Sequence, residues 1–191
     1  MSNSVNKVLF ILHQGFEELE AVAPIDILRR SGLEVLLATT SENLKVKGRN
    51  NMVMVAEKRL TDLDDFLTYD AVVIPGGPGV MELRQTPEAA ELLKTFAHAG
   101  KPTAAICAAP LLLKDAGLLN NGQKVAAHFT CKEEIPDLDG NSPFVEDGKI
   151  YTSRGAGDAI AFGLALSARF AGRDKAIEVA ESICLTEKDV P

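Results

Sequence analysis

Short β-branched or apolar runs, several of them almost continuously apolar, recur along this chain, and segments of helical period separate them. That alternation restricts the fold more than any other feature. The runs fall at 8–12 (VLFIL), 35–38 (VLLA), 71–74 (AVVI), 103–106 (TAAI) and 150–153 (IYTS), with a weaker one at 125–127 (VAA). A strand with one wet face would alternate polar and apolar residues, whereas near-continuous apolar runs belong to strands covered by helices on both faces. The pattern predicts an α/β chain, a three-layer sandwich around a mostly parallel sheet. Residues 17–22 read as a first short helix, and Pro24 fits the first turn of a second one that Gly32 ends. Thr86-Pro87-Glu88 supplies a cap, a proline at the first position and an early acid, and Gly100 stops that helix. Segments 158–171 and 175–185 predict two closing helices separated by Gly172. Asp147-Gly148 between two apolar pairs predicts a small β-hairpin on the sheet. With no repeat, linker or low-complexity tract, residues 1–191 read as one domain with a polar tail, 186–191, expected to be loose.

Charge narrows the partners. Twenty basic against 27 acidic side chains leave a formal charge of −7, and a nucleic-acid groove or anionic membrane surface needs clustered Lys and Arg. No nucleic acid is expected. No apolar stretch approaches the ~18 residues of a membrane span, so no membrane is expected either. The opening Met1-Ser2-Asn3-Ser4-Val5-Asn6-Lys7 enters a strand-like run without a charged-then-apolar leader, which makes a cytoplasmic location the expectation. Three cysteines, Cys107, Cys131 and Cys184, are an odd number without C-x-x-C spacing. They read as free thiols rather than a disulfide framework or a metal site.

In open α/β sheets ligands bind beyond the carboxyl ends of the strands. Residues following the runs are therefore the candidates: His13 and the acids Glu17, Glu18 and Glu20 after the first, Pro75-Gly76-Gly77-Pro78-Gly79 after the third, Cys107 after the fourth, His128 after the fifth, Arg154-Gly155 after the last. Cys107 sits between alanine pairs on a strand-to-helix turn, as a nucleophile elbow requires, and a helix N-terminus there would lower the thiol's pKa. A small buried hydrophobe is the other reading of the same residue. The three acids exceed what helix capping needs, and close like charges raise one another's proton affinity, so one could hold a proton and donate it to a thiolate. Gly76 and Gly77 can turn backbone N–H groups toward a ligand or simply form a corner. His128 is a candidate base or a partnered structural histidine. His98 suits a helix C-terminus, Cys184 reads as core, and Cys131 stays open.

These motifs in this order resemble the ThiJ/PfpI superfamily, with its class I glutamine amidotransferase-like fold, nearest the branch of the Parkinson-disease protein deglycase. The carriers are Gly15-Phe16-Glu17-Glu18-Leu19-Glu20, Pro24-Ile25-Asp26-Ile27-Leu28-Arg29-Arg30, Pro75-Gly76-Gly77, Ala104-Ala105-Ile106-Cys107-Ala108-Ala109-Pro110, Lys124-Val125-Ala126-Ala127-His128 and Thr152-Ser153-Arg154-Gly155. The resemblance implies a flavodoxin-like fold, commonly a homodimer, and an oxidation-sensitive nucleophile at Cys107 with Glu20 as its proton shuttle and His128 close by. It implies oxyanion donors at Gly77 and Ala108, beside Gly76, and an anion site lined by Arg30, Arg49 and Ser153. It further implies an enzyme without cofactor or metal that acts on a small-molecule aldehyde, converting methylglyoxal to lactate, or on glycated substrates. A redox-sensing stress protein or chaperone working through Cys107 is the alternative. A cysteine peptidase fits less well, because Ala108 stands where that branch places histidine. The late His-x-Glu pair of the glutamine amidotransferases is missing, and Asp158 replaces the uncharged residue expected after Arg154-Gly155-Ala156-Gly157.

Overall fold

The computed structural model describes residues 5–120 and 122–191. The leader-free reading rests partly on residues 1–4, which lie outside the described residues.

β1 (Lys7–Leu12) runs through the sheet interior, parallel to β2 (Glu34–Thr39) on one side and β6 (Ala71–Ile74) on the other. β7 (Thr103–Ile106) follows β6, and β9 (Ile150–Ser153) follows β7, both parallel. A short β5 (Lys58–Arg59) flanks β2, and β8 (Phe144–Asp147) closes the far edge antiparallel to β9 through the predicted Asp147-Gly148 turn. The chain leaves β1 for β2 and then returns to β6 on the opposite side, so the winding reverses between β1 and β6. Loops diverge at such a switch point and leave a crevice.

Alternate residues of β1 point to opposite layers. Val8, Phe10 and Leu12 pack with Phe162 and Leu166 of α5 (Ala159–Phe170), while Leu9 and Ile11 pack with Leu92 and Phe96 of α3 (Pro87–His98). The near-continuous apolar run is thereby explained, since both faces of the strand are core. Among the described residues no helix is long and apolar enough to cross a membrane.

Four expectations need correction. Segments 17–22 and 24–32 form one helix, α1 (Glu18–Arg30), with Pro24 inside it. The proline removes the N–H that would serve the Glu20 carbonyl, and burial of Ala21, Ile25 and Leu28 in the α5-side core outweighs that loss. Residues 125–127 join no ladder: Val125 makes one isolated bridge to Leu138, and Ala126 N–H donates to the Thr152 hydroxyl at 2.9 Å. β9 occupies the place beside β7. Cys184 is exposed with φ 65° just past α6 (Arg173–Ser182), not core. The tail is held, because Thr186 and Asp189 cap a 3-10 turn at Glu187–Asp189 and Val190 is buried. A separate antiparallel pair, β3 (Lys45–Lys47) and β4 (Val53–Val55), had no sequence signal strong enough to read, since both strands are three residues long.

α1 and α5 approach most closely at Gly163, where an added Cβ would lie 3.1 Å from Pro24 Cα and 2.8 Å from Ile27 Cδ1. Replacing an ordinary helix glycine stabilises by up to ~1 kcal/mol, but here the two backbones would have to separate. Gly163→Val is therefore expected to lower the unfolding free energy by about 1–3 kcal/mol, read as a lower urea midpoint at unchanged slope.

Candidate active site

Cys107 follows β7 directly and has φ 65°, the left-handed region that costs an L-residue roughly 1–2 kcal/mol. Three backbone hydrogen bonds hold the turn. Cys107 N–H donates to the Ser153 carbonyl at 3.0 Å, its carbonyl accepts from His128 N–H at 2.8 Å, and Ala109 N–H donates to the Ile106 carbonyl at 3.0 Å. β9 on one side and the segment before His128 on the other thus hold the backbone from which the sulfur projects. The N–H groups of Gly77 and Ala108 reach it and favour its charged form.

The three acids divide their work. Glu17 caps α1, accepting from Glu20 N–H at 3.0 Å. Glu18 accepts from Asn50 N and Nδ2 at 2.7 and 3.0 Å, tying α1 to the loop before β4. Glu20 turns inward and is 1% exposed; its Oε2 accepts from Gly76 N–H at 2.8 Å, and its Oε1 has no aligned hydrogen-bond partner among the described residues. Burial raises the Glu20 carboxyl to about 7; the Cys107 thiol opposes the rise most, Glu17 adds to it, and Gly76 and Arg49 oppose it further. Burial, then Glu20, pushes the Cys107 thiol up to about 12, and the Gly77 and Ala108 donors recover part of that. The expected lowering of the thiol pKa is therefore overturned: desolvation outweighs the donors although Cys107 is only partly buried, and α4 (Pro110–Asp115) is short and starts three residues beyond the sulfur. Two acids in contact lose protons as a pair. Across the neutral and mildly basic range this pair carries one negative charge and one proton.

Gly155 is where the groups converge. A Cβ there would lie 3.9 Å from Cys107 Sγ, 3.8 Å from Glu20 Oε1 and 3.7 Å from His128 Cδ2. Gly76 is equally confined, its added Cβ falling 2.6 Å from Cys107 Cβ and 2.7 Å from Glu20 Oε2. Gly77, at φ 104°, packs against the backbone of residues 15–17. His128 Nδ1 is bonded to Thr130 Oγ1 at 2.8 Å.

Not every predicted residue arrives. Arg30 pairs with Asp26 at 2.7 Å in the last turn of α1, ten residues and about 15 Å along the axis from Glu20, so within one chain it does not line the site. Ser153 contributes its carbonyl, while its hydroxyl donates to the Pro143 carbonyl at 2.6 Å. Arg49 is exposed but near enough to oppose the rise at Glu20. Arg154 is committed to Asp158 at 2.7 and 2.9 Å. His13 is buried, its ring nitrogens against the Pro75 and Gln14 carbonyls, and it braces the glycine loop. Sequence reasoning passed over Gly155 as a floor and Thr130 as the partner of His128. The spacing H-x-T was the available signal for the second, and only the fold could show the first.

An α/β sheet with a cysteine on a left-handed elbow, a buried carboxyl beside it and glycines at every close approach defines a cysteine-elbow protein. Residues 6–169 match the DJ-1/PfpI family, and the chain belongs to it. Protein DJ-1 homolog A of Arabidopsis thaliana is 32% identical over 178 residues, which cover 92% of this chain and 45% of that protein. The chain spans less than half of that relative and 41% of Arabidopsis homolog B. Glutathione-independent glyoxalase DJR-1.2 of Caenorhabditis elegans is 30% identical over 192 residues, covering 98% of this chain and 100% of the relative. The crystal structure of Drosophila melanogaster DJ-1beta aligns with a TM-score of 0.89 at 30% identity, covering 95% and 99% of the two chains.

A carboxyl raised from 4.5 to about 7 binds its proton more tightly in the folded state. Its contribution to stability is full below about pH 4.5 and is lost as pH rises to about 7. At 1.36 kcal/mol per unit the loss is about 3 kcal/mol. Between pH 4.5 and 7.5 the wild type should lose about that much stability relative to Glu20→Gln, measured by urea unfolding of both proteins across the range.

Proposed function

We propose that this chain is a cysteine enzyme that converts 2-oxoaldehydes such as methylglyoxal to 2-hydroxy acids such as lactate. The convergence of Cys107 Sγ, Glu20 Oε1 and the His128 ring edge on the space above Gly155 carries this reading, because it sets a nucleophile and the carboxyl in contact with its thiol against one small volume. Glu20, once ionised, takes the thiol proton as the sulfur bonds to the aldehyde carbon. The oxygen of that carbon becomes an oxyanion beside the Gly77 and Ala108 N–H groups, and Glu20 returns the thiol proton to it, giving a neutral hemithioacetal. Glu20 then removes the hydrogen from the former aldehyde carbon as a proton and returns it to the neighbouring ketone carbon, while the hemithioacetal hydroxyl proton passes to the ketone oxygen, so that the first oxygen becomes the thioester carbonyl and the second a hydroxyl. One carbon is oxidised and the next reduced, so no external redox partner enters. Water cleaves the resulting thioester, releasing the 2-hydroxy acid and the thiol. His128, anchored through Nδ1 to Thr130, would assist the proton transfers through its other ring nitrogen. The same first addition would serve early glycation adducts on amino groups, so deglycation is a variant of this chemistry. Peptidase chemistry has no histidine directly after the nucleophile to support it.

A redox role for the same site has one observation in its favour: a carboxyl raised to about 7 beside the sulfur can donate a hydrogen bond to an oxidised product. Persistence of a one- or two-oxygen adduct on Cys107 after peroxide, together with absent turnover, would favour it.

A second copy of the chain is the partner we propose. Leu19 and Val22 on α1 and Met52, Val53 and Val55 on the β3–β4 hairpin are all exposed, and the Glu18–Asn50 contacts bring the two elements together. Such a patch suits a two-fold interface. Sedimentation of the wild type is expected to show a dimer that Val53→Asp weakens at least tenfold; a monomeric wild type would rule the interface out.

For the enzyme, Cys107→Ser is expected to reduce lactate formation from methylglyoxal at least 1,000-fold. The wild-type kcat/KM should rise with pH to a plateau above about 7, as Glu20 becomes the ionised base. Lactate formation by Cys107→Ser at the native rate would refute the mechanism.

A further inference from the structure

A cavity of about 650 Å³ opens on the side of Gly155 away from the glycine loop, walled by His128, Phe129, Lys132, Leu138, Arg154 and Asp158. Its size falls in the ~300–1,000 Å³ range of sites that enclose drug-sized ligands, and a three-carbon aldehyde would leave most of it empty. Gly155 and His128 belong both to this wall and to the point where the sulfur and carboxyl meet. Cys107 and Glu20 do not themselves line the cavity, so Gly155 and His128 are the link by which the group carried on the ketone carbon of a substrate would reach it.

The wall is chemically selective. Arg154 is neutralised by two contacts to Asp158 and capped by the carbonyls of Gly140 and Asn141, both at 3.2 Å. Among the described residues the Lys132 side chain forms no ion pair or hydrogen bond, its backbone N–H alone donating to the Phe129 carbonyl at 3.3 Å. It leaves the wall with one uncommitted positive charge, in a chain whose total is −7. Phe129 is 78% exposed, a high value for an aromatic ring, and its centroid lies 4.2 Å from that of His128. The wall thus carries two neighbouring rings, tilted by 36°, and an uncommitted ammonium.

We propose that this cavity is the substituent pocket of the site, and that Phe129 and Lys132 make it selective for 2-oxoaldehydes bearing an aromatic ring with an anionic group at its far end. The ring of the substrate lies along Phe129, and its anion meets Lys132 in a charge-assisted contact. This assignment takes its chemistry from the reaction proposed above.

The test compares methylglyoxal, phenylglyoxal and 4-carboxyphenylglyoxal by kcat/KM. The wild type is expected to favour the carboxylated substrate over phenylglyoxal about tenfold, and Lys132→Gln to bring that ratio close to one. Phe129→Ala is expected to lower the phenylglyoxal-to-methylglyoxal ratio about fivefold. Absence of a carboxylate preference in the wild type, or its survival in Lys132→Gln, would overturn the assignment while leaving the reaction standing. Should no 2-oxoaldehyde be turned over, the reaction falls, and the pocket is judged by calorimetric binding of 4-carboxymandelate and mandelate. A preference for the former that Lys132→Gln abolishes upholds the pocket, and equal binding of the two refutes it.

Discussion

Placing the Glu20 carboxyl against Cys107 in a dry interior sets terms that the surrounding structure has to meet. A buried carboxyl without compensation is expensive, and here one oxygen receives a single backbone N–H, from Gly76, while the other has none. The group settles by holding its proton more tightly. For the contact to exist, α1 must begin close to the end of β1, Gly76 must lack a side chain, and the strand after it must deliver a glycine loop rather than a helix turn. All three follow from the switch point between β1 and β6. Loops leaving strands on either side of that reversal face one another, which brings residue 20 to residue 76 across the crevice.

The elbow is the second constraint, and the same scaffold answers it. A cysteine in left-handed backbone conformation persists only where neighbours over-determine it. Here the Ser153 carbonyl and the His128 N–H clamp both ends of its peptide, one from β9 and the other from the segment that leads into the cavity wall. That second clamp explains why residues 125–127, though apolar and extended, do not form a sheet strand. Their course is fixed by the Thr152 hydroxyl and by the elbow, so the segment runs above the sheet edge and carries His128 to the site.

What could be read from the sequence divides along a physical line. The strands at 71–74, 103–106 and 150–153 were legible to the residue, because two-sided burial forces a compositional signature. Cys107, Glu20 and Gly77 were legible because small-residue flanks and clustered acids are unusual, and resemblance named their roles. The single helix through Pro24 was not legible: a local rule says that proline starts a helix, and the decision lay in the packing of α1 on α5. The direction of the thiol's shift was lost for the same reason. Dipole and donors are visible as sequence motifs, whereas desolvation depends on everything that closes over the sulfur. Arg30 lies in the last turn of α1, where helix length keeps it away from Glu20 within one chain.

Two destabilising features, the left-handed cysteine and the buried carboxyl, lie within a few ångströms of one another, and neither contributes to folding. Their persistence needs a core able to offset them. The β1 run supplies it by being core on both faces, and α1 and α5 add a contact so close that Gly163 has no room for a methyl group. The site is therefore rigid where the chemistry requires position, at Cys107, Glu20 and Gly76, and open where it does not, beyond Gly155. For the proposed reaction, a site confined on all sides would admit only the smallest aldehydes. Confinement on the carboxyl side alone would fix the reacting carbons and leave the rest of the proposed substrate to the wall that carries Phe129 and Lys132.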